Sequence, residues 1–291
     1  MAPDVSQPFT MLVCLAHPDD ETFGMGGTLA LYAKKGVQVH LVCATRGDVG
    51  DVDQDLLQGF SSVAERRESE LRCAAGILGL SGVYFLGYRD SGMPGTPDNQ
   101  HPNALAAQPV DEVAARVVHY IRLLRPQVVV THDPIGGYKH PDHIAMHHAT
   151  LRAFQLASQA SYPSDLPPFQ PDKLYYQTMP KAIMRWAVRL APLLGMDPRH
   201  FGRNRDIDLV AVVQEGSFPT HARINCRSVS EIRDQATACH TSQLGGAIGR
   251  KGPMTILRRY LGGTESFMRA YPEPVNGLHE RDLFAGIASV T

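Results

Sequence analysis

The sequence predicts an α/β protein in which a mostly parallel sheet is flanked by helices and followed by a smaller, loop-rich C-terminal portion, the whole forming one domain over residues 1–291. Three observations carry this reading. Short apolar runs alternate with longer amphipathic ones through the first 160 residues, the rhythm of parallel strands joined by crossover helices. Hydrophobic residues make up 43% and charged residues 20% of the 291-residue chain, the balance of a folded protein with a sizeable core. The 26 glycines and 21 prolines exceed ordinary usage of about 7% and 5% and require many loops.

Taken in order, the apolar run Thr10 to Ala16 reads as a first buried strand. A helix follows from about Glu21 to Lys35, where Lys34 and Lys35 suit the negative end of the helix dipole and Gly36 supplies a left-handed stop. Val37 to Ala44 is a second strand. A Gly- and Asp-rich loop leads to a charged helix, Val63 to Leu78, stopped by Gly79, and then to a third strand, Val83 to Leu86. Residues 87 to 110 form a long Pro/Gly/Asn loop. Pro109 and Asp111 announce a helix up to Leu124, and Val128-Val129-Val130 within Gln127 to Thr131 marks the fourth strand. This core, residues 10–160, is Rossmann-like. Beyond a proline-rich connector at 161–171, short strands are expected near 173–178 and 207–213 and a helix near 229–239, as an elaboration (161–291) packed on the sheet.

Charge and composition remove several function classes. With 28 Lys+Arg against 29 Asp+Glu, the net charge of -1 gives no positive field for nucleic acid or anionic lipid. No apolar run approaches the ~20 residues of a bilayer-spanning helix, and the N-terminal residues lack the basic region of a secretory signal, so a cytoplasmic location is expected. Cys14, Cys43, Cys73, Cys226 and Cys239 are widely scattered, contain no Cys-x-x-Cys, and are expected to be reduced core thiols. The Gly24-x-Gly26-Gly27 segment follows a strand, but three acids at the same helix start would repel a pyrophosphate. Neither a Gly-x-Ser-x-Gly elbow nor a phosphate-binding Lys-Ser/Thr loop occurs.

Two clusters carry chemistry. The first strand ends in Ala16-His17-Pro18-Asp19-Asp20-Glu21, and the fourth in Thr131-His132-Asp133-Pro134-Ile135-Gly136-Gly137-Tyr138-Lys139-His140-Pro141-Asp142-His143. Ligands of open α/β sheets gather at the carboxyl ends of strands. The acids of the first cluster also suit a helix N-terminus, but His17 does not follow from that role. Imidazole nitrogen with carboxylate oxygen and one wet position is the ligand set of catalytic zinc or another borderline divalent ion. Asp19 and Asp20 alternate in direction at the strand exit, so one can ligate while its neighbour serves as a base. His147 and His148, a turn deeper in the following helix, are expected to be core or surface residues.

These residues resemble the paired signature of the LmbE/PIG-L family of zinc-dependent N-acetylglucosaminyl deacetylases. Gly87-Tyr88-Arg89-Asp90-Ser91-Gly92-Met93, the Gly-Gly-Tyr before the second cluster, and Asp282-Leu283-Phe284-Ala285-Gly286 resemble its thiol-sugar branch, the mycothiol/bacillithiol-pathway deacetylases and the mycothiol conjugate amidases. The resemblance implies that His17, Asp20 and His143 hold a zinc ion, other transition ions being able to substitute, with Asp19 as general base. It implies further that His140 stabilises the oxyanion or protonates the leaving amine, that Tyr138 polarises the acetyl carbonyl, and that Asp142 orients an imidazole. Arg67, Asp90 and Asp51 would bind substrate, and His240 would border the pocket or serve as a structural histidine. Arg66 and Arg67 also fit a solvated helix face paired with Glu65, Glu68 and Glu70.

The expected partner is therefore a small amino-sugar glycoside, with neither nucleic acid nor membrane; the sequence is compatible with a homo-oligomer. Amide hydrolysis needs an activated water, charge stabilisation at the tetrahedral oxygen and a proton for nitrogen, and the two clusters contain groups for each. Alternatives at this stage are an amidase acting on a thiol-sugar S-conjugate, distinguished by a pocket shaped by the 87–110 loop, and a non-catalytic sugar-binding protein that keeps the metal site. A metal phosphoesterase is weaker, since ligands for a second metal are not visible.

Overall fold

The computed structural model of the chain describes residues 8–178, 181–200, 207–215, 218–244 and 263–288. Strands β1 (Thr10–Leu15), β2 (Gln38–Thr45), β3 (Gly82–Tyr88), β4 (Val128–Thr131), β5 (Lys173–Thr178), β6 (Ala222–Asn225) and β7 (Thr264–Tyr271) make one sheet in the order β3-β2-β1-β4-β5-β7-β6. The first five run parallel, while β7 lies antiparallel to both β5 and β6. The mostly parallel α/β sheet expected from the sequence is thus present, and the residues beyond 160 supply three of its strands.

Helices α1 (Asp20–Lys34), α2 (Val63–Leu78), α3 (Val110–Leu124), α4 (Gly136–Lys139), α5 (Pro141–Ala157), α6 (Lys181–Leu190), α7 (Leu209–Glu215) and α8 (Ser230–Thr237) accompany the strands. All six residues of β1 are buried, which is why the segment reads as an unbroken apolar run instead of an alternating one. Successive side chains nevertheless go to opposite faces. Met11, Val13 and Leu15 pack with Met25, Leu29 and Leu71 from α1 and α2, whereas Leu12, Cys14 and Ala16 pack with Val117, Ile121 and Met146 from α3 and α5. Burying a side chain of this size contributes ~1.5–3 kcal/mol, so the central strand is held from both sides. The α2 start is fixed by Ser62, whose Oγ accepts the Glu65 N–H at 3.1 Å, and its end by Gly79 at φ 77°.

Two expectations are corrected. The run at 207–213 is not a strand: Leu209–Glu215 is helical, and the Asp208 carboxylate accepts the N–H groups of Val210 and Ala211 at 2.9 and 3.0 Å. A short run of Val and Leu fits either structure, and the capping aspartate decides it. The cysteines are not all reduced: Cys73 and Cys239 form a disulfide, while Cys14, Cys43 and Cys226 are buried and free. Packing of α8 on α2 brings two positions 166 residues apart to a Cα separation of 5.9 Å, a proximity that sequence spacing does not encode. The same junction is bound by Glu70, which accepts from Ser242 Oγ (2.6 Å) and from the Ser242 N–H (2.9 Å). Among the described residues no helix is long and apolar enough to cross a membrane.

Candidate active site

The sheet order puts β1 and β4 side by side while the chain departs from them in opposite directions, towards β2 on one side and β5 on the other. A crevice opens at the carboxyl ends of two such strands. The segments that enter it are residues 16–21 after β1 and 132–143 after β4, so the two clusters, far apart in sequence, face each other.

His17 Nδ1 lies 3.3 Å from His143 Nε2 and 3.6 Å from Asp20 Oδ2, and His143 Nε2 lies 3.2 Å from Asp20 Oδ1. A tetrahedral ion bonded at ~2.0–2.1 Å separates its ligands by roughly 3.4 Å, which the His17–His143 spacing matches. Asp20 meets the two rings through its two different oxygens. The groups whose donor atoms lie within 4.8 Å of one another include His17, His140 and His143 as well as Asp20, His132 and His143, a nitrogen and carboxylate set suited to a borderline divalent cation. The Asp20 carboxylate also accepts the His17 N–H at 2.8 Å, which fixes its orientation. Burial alone would raise the Asp20 carboxyl, but His143 and His132 outweigh it and hold the group well below its usual range.

The far side of each imidazole is engaged. His17 Nε2 stands 3.1 Å from Asp142 Oδ2 and 3.5 Å from Asp90 Oδ1, leaving Nδ1 for the cluster. Burial opposes protonation of His17, yet Asp90, Asp142 and Asp20 around it raise its pKa well above the ordinary value. Asp142, fully buried, also accepts from the Ser91 N–H (2.8 Å) and Ser91 Oγ, so it is a fixed point for His17. Asp142 thus lies beside the His17 imidazole.

Asp19 carries a positive φ of 110°. Its Oδ2 lies 3.2 Å from Arg67 Nη2, and its N–H donates to Glu21 Oε2 at 2.9 Å. Burial pushes the Asp19 carboxyl up to about 6, with Arg67 pulling the other way. His140 Nδ1 accepts the Asp142 N–H at 3.2 Å, so its neutral ring carries the proton on Nε2. Burial, then the neighbouring His17 and His143, lowers its pKa well below 6.5 and keeps it neutral. The Tyr138 ring stands edge-on to His140 (5.8 Å) and His143 (5.3 Å), and burial raises its phenol so that it stays protonated. The turn that delivers Tyr138 needs glycine: Gly136 has φ +64°, and a Cβ there would come within 2.9 Å of the His143 Cβ.

The expected substrate residues divide. Arg67 is buried and its fork is largely used, donating to Pro18 O (2.7 Å), Gly47 O (3.1 Å) and Asp19. Gly47 is required for this, since a Cβ there would fall 2.0 Å from Arg67 Nη1. Asp90 joins the cluster, 3.5 Å from His17 and 3.9 Å from Arg67; burial alone would raise it, but His17 holds it well below its usual range. Asp51 is exposed on the loop after β2. The sequence reading gives no role to His132, and to Glu21 only that of an acid at a helix start. His132 stacks on His143 with centroids 3.9 Å apart, accepts the Ala16 N–H at Nε2 (3.1 Å), and is kept neutral by burial. Its position one residue past β4 was the available signal. His147 is buried and its Nδ1 donates to His132 O at 2.9 Å, while His148 is exposed. His240 is fully buried against Glu21 at 2.7 Å.

Comparison with known proteins identifies the family. Residues 12–154 match the family model described as PIG-L: GlcNAc-PI de-N-acetylase. The 1D-myo-inositol 2-acetamido-2-deoxy-alpha-D-glucopyranoside deacetylase of Geodermatophilus obscurus is 36% identical over 95% of this chain and 97% of its own length. Deacetylase 2 of the same name from Catenulispora acidiphila is 40% identical over 99% of this chain and all of its own. Among solved structures, the N,N'-diacetylchitobiose deacetylase of Pyrococcus horikoshii, complexed with its inhibitor MPG, superposes with a TM-score of 0.61 at 22% identity, covering 89% of this chain and 83% of that one, which shows a shared fold. The chain belongs to the PIG-L family of GlcNAc-PI de-N-acetylases.

Proposed function

We propose that this chain is a metal-dependent hydrolase that removes the N-acetyl group from a glucosamine glycoside, and that the compound named in its relatives, 1D-myo-inositol 2-acetamido-2-deoxy-alpha-D-glucopyranoside, is its substrate. The observation that carries this reading is the convergence of His17, Asp20 and His143 at 3.2–3.6 Å with the Asp19 carboxylate on the adjoining residue. Those three residues would hold the ion, and zinc suits their two nitrogens and one carboxylate. When bound, such an ion lowers the pKa of a water and withdraws electron density from the amide oxygen.

The remaining steps belong to the chain's own groups. Asp19 takes a proton from water as the water oxygen bonds to the acetyl carbon. The same proton then passes from Asp19 to the glucosamine nitrogen as the C–N bond breaks, leaving the free amine and acetic acid, which loses its remaining proton to give acetate. His140 donates from Nε2 to the amide oxygen as that atom gains negative charge. A neutral imidazole holding its proton this way is a hydrogen-bond donor and a poor acid, which favours the oxyanion role over delivery of a proton to the amine. The Tyr138 phenol, kept protonated, is a second donor to that oxygen. Asp142 holds His17 in place, and Arg67 fixes Asp19 and the two loops beside it. The carboxylates of Asp90 and Asp51 accept from hydroxyls of the sugar and its aglycone.

The test is acetate release before and after chelation. Removal of the metal is expected to abolish turnover and a divalent cation to restore it, zinc being compared with iron, cobalt and manganese. Undiminished turnover by protein shown to be metal-free by atomic emission would reject the mechanism.

A further inference from the structure

We infer that Glu21, clamped by His240, is a positioning residue for Asp19: the buried pair holds the Asp19 backbone in an unfavourable conformation and thereby aims the Asp19 carboxylate. This rests on the reading of Asp19 as the general base. Three facts support it. Asp19 has φ +110° and ψ -27°, a conformation that a residue with a side chain adopts only when its surroundings enforce it. Two consecutive aspartates serve different targets, Asp20 facing His143 and Asp19 facing Arg67, and the positive φ of Asp19 turns its side chain relative to the segment that arrives from β1. The Asp19 N–H donates to Glu21 Oε2 at 2.9 Å, while Glu21 Oε1 lies 2.7 Å from His240 Nε2.

Glu21 has no other explanation in the site. A helix N-terminus favours an acid only modestly, and that gain is small against the cost of full burial. Both Glu21 and His240 have no exposed surface, and a carboxylate buried beside Asp19 and Asp20 is costly unless a specific donor offsets it. That donor arrives from 219 residues further along the chain. Its carrier is firmly attached: Cys239, the residue before His240, is disulfide-bonded to Cys73 on α2, and Ser242 is bonded twice to Glu70 on the same helix. The C-terminal portion thus reaches the proposed base through its backbone, without touching its carboxylate.

The experiment compares zinc-loaded Glu21→Ala, Glu21→Gln, His240→Ala and His240→Gln proteins in acetate release from the inositol glycoside. Glu21→Ala and His240→Ala are expected to lower kcat by ~10²-fold, the scale of a misplaced catalytic group, with KM and bound zinc per chain close to the parent values, and His240→Ala to lower the melting temperature as well because it leaves Glu21 buried without its donor. Glu21→Gln keeps an oxygen for the Asp19 N–H and His240→Gln keeps a donor for Glu21, so both are expected to recover most of that loss. The glutamine variants decide the matter where an alanine variant does not fold. In an Asp19→Ala background, Glu21→Ala is expected to cost no more than about 2-fold further, because the two act as one unit. An alanine variant with parental kcat, or an equal further loss in the Asp19→Ala background, overturns the inference while leaving the base intact. Parental turnover by Asp19→Ala itself would instead remove the base assignment on which the inference stands.

Discussion

The two strand ends that build the site are chemically unlike. The β1 exit runs directly into α1 and supplies the carboxyl groups of Asp19, Asp20 and Glu21, together with His17, whose Nε2 is engaged by Asp142 and whose Nδ1 faces Asp20 and His143. The β4 exit passes first through a glycine-dependent turn and supplies imidazoles that burial keeps neutral, His132 and His140, together with the phenol of Tyr138. Its two acids are both tied down: Asp133 accepts from the N–H groups of Gly137 and Ile135 at 2.8 and 3.1 Å, and Asp142, in the first turn of α5, accepts from the Ser91 N–H and stands 3.1 Å from His17 Nε2. A helix N-terminus tolerates carboxylates and a desolvated turn does not. Amide hydrolysis needs a base and a charge-stabilising donor at once, and the fold obtains them by joining an anionic segment to a neutral one.

The sharpest way to break this contrast is to disable each end in turn. Asp19→Asn is expected to slow turnover by ~10²-fold or more, the range for a lost general base, with the metal retained. His140→Ala is expected to slow it by ~10²–10³-fold, the range for a lost oxyanion donor, again with the metal retained. Steady-state kinetics paired with metal analysis measures both, and loss of the ion in either variant would reverse the division between holding and reacting groups. A second difference is mechanical, since only the β1 side is braced by the Cys73–Cys239 disulfide through α2. Cys73→Ser is expected to lower stability by about 2–4 kcal/mol in guanidinium unfolding, and added reductant should weaken the parent but not the variant.

The smallest effect concerns acid. His147 braces the β4 end by donating to His132 O, and burial lowers its pKa below 6.5 despite that bond. The unfolded chain takes up a proton at this position as pH falls through 6.5 while the folded chain does not, so stability declines on acidification by at most about 1.4 kcal/mol per pH unit. His147→Asn, which keeps a donor for the carbonyl, should flatten that decline between pH 7 and pH 5. An unchanged slope in melting temperature against pH would show that His147 is not where acid acts.

Much of this was legible before any coordinates. Glycine stops, lysine-rich helix ends and apolar runs located α1, α2 and β1 to β4 to within a few residues, because these are local signals of backbone preference and burial. The histidines and acids of the site stood out because they end strands. The 207–213 segment was misread because a short Val/Leu run is ambiguous until its cap is weighed. For Arg67 the sequence offers a substrate contact or a solvated helix face, whereas the structure buries it with three acceptors around its fork, and nothing in its helical spacing reports on the segments that fold over it. Glu21 looked like a dipole-matched helix start, and its partner His240 could not be linked to it by any spacing rule.

The amino-acid sequence by itself determined the strand and helix alternation, the family, and the residue types gathered at the two strand ends, since each follows from neighbouring residues and their periodicity. Only the tertiary structure decided which nitrogen of each histidine is free, which carboxylates stay charged, that Asp19 is held at a positive φ, and that Cys73 meets Cys239. Those properties depend on distances and desolvation between segments more than a hundred residues apart, and they come into being only when the sheet brings those segments together.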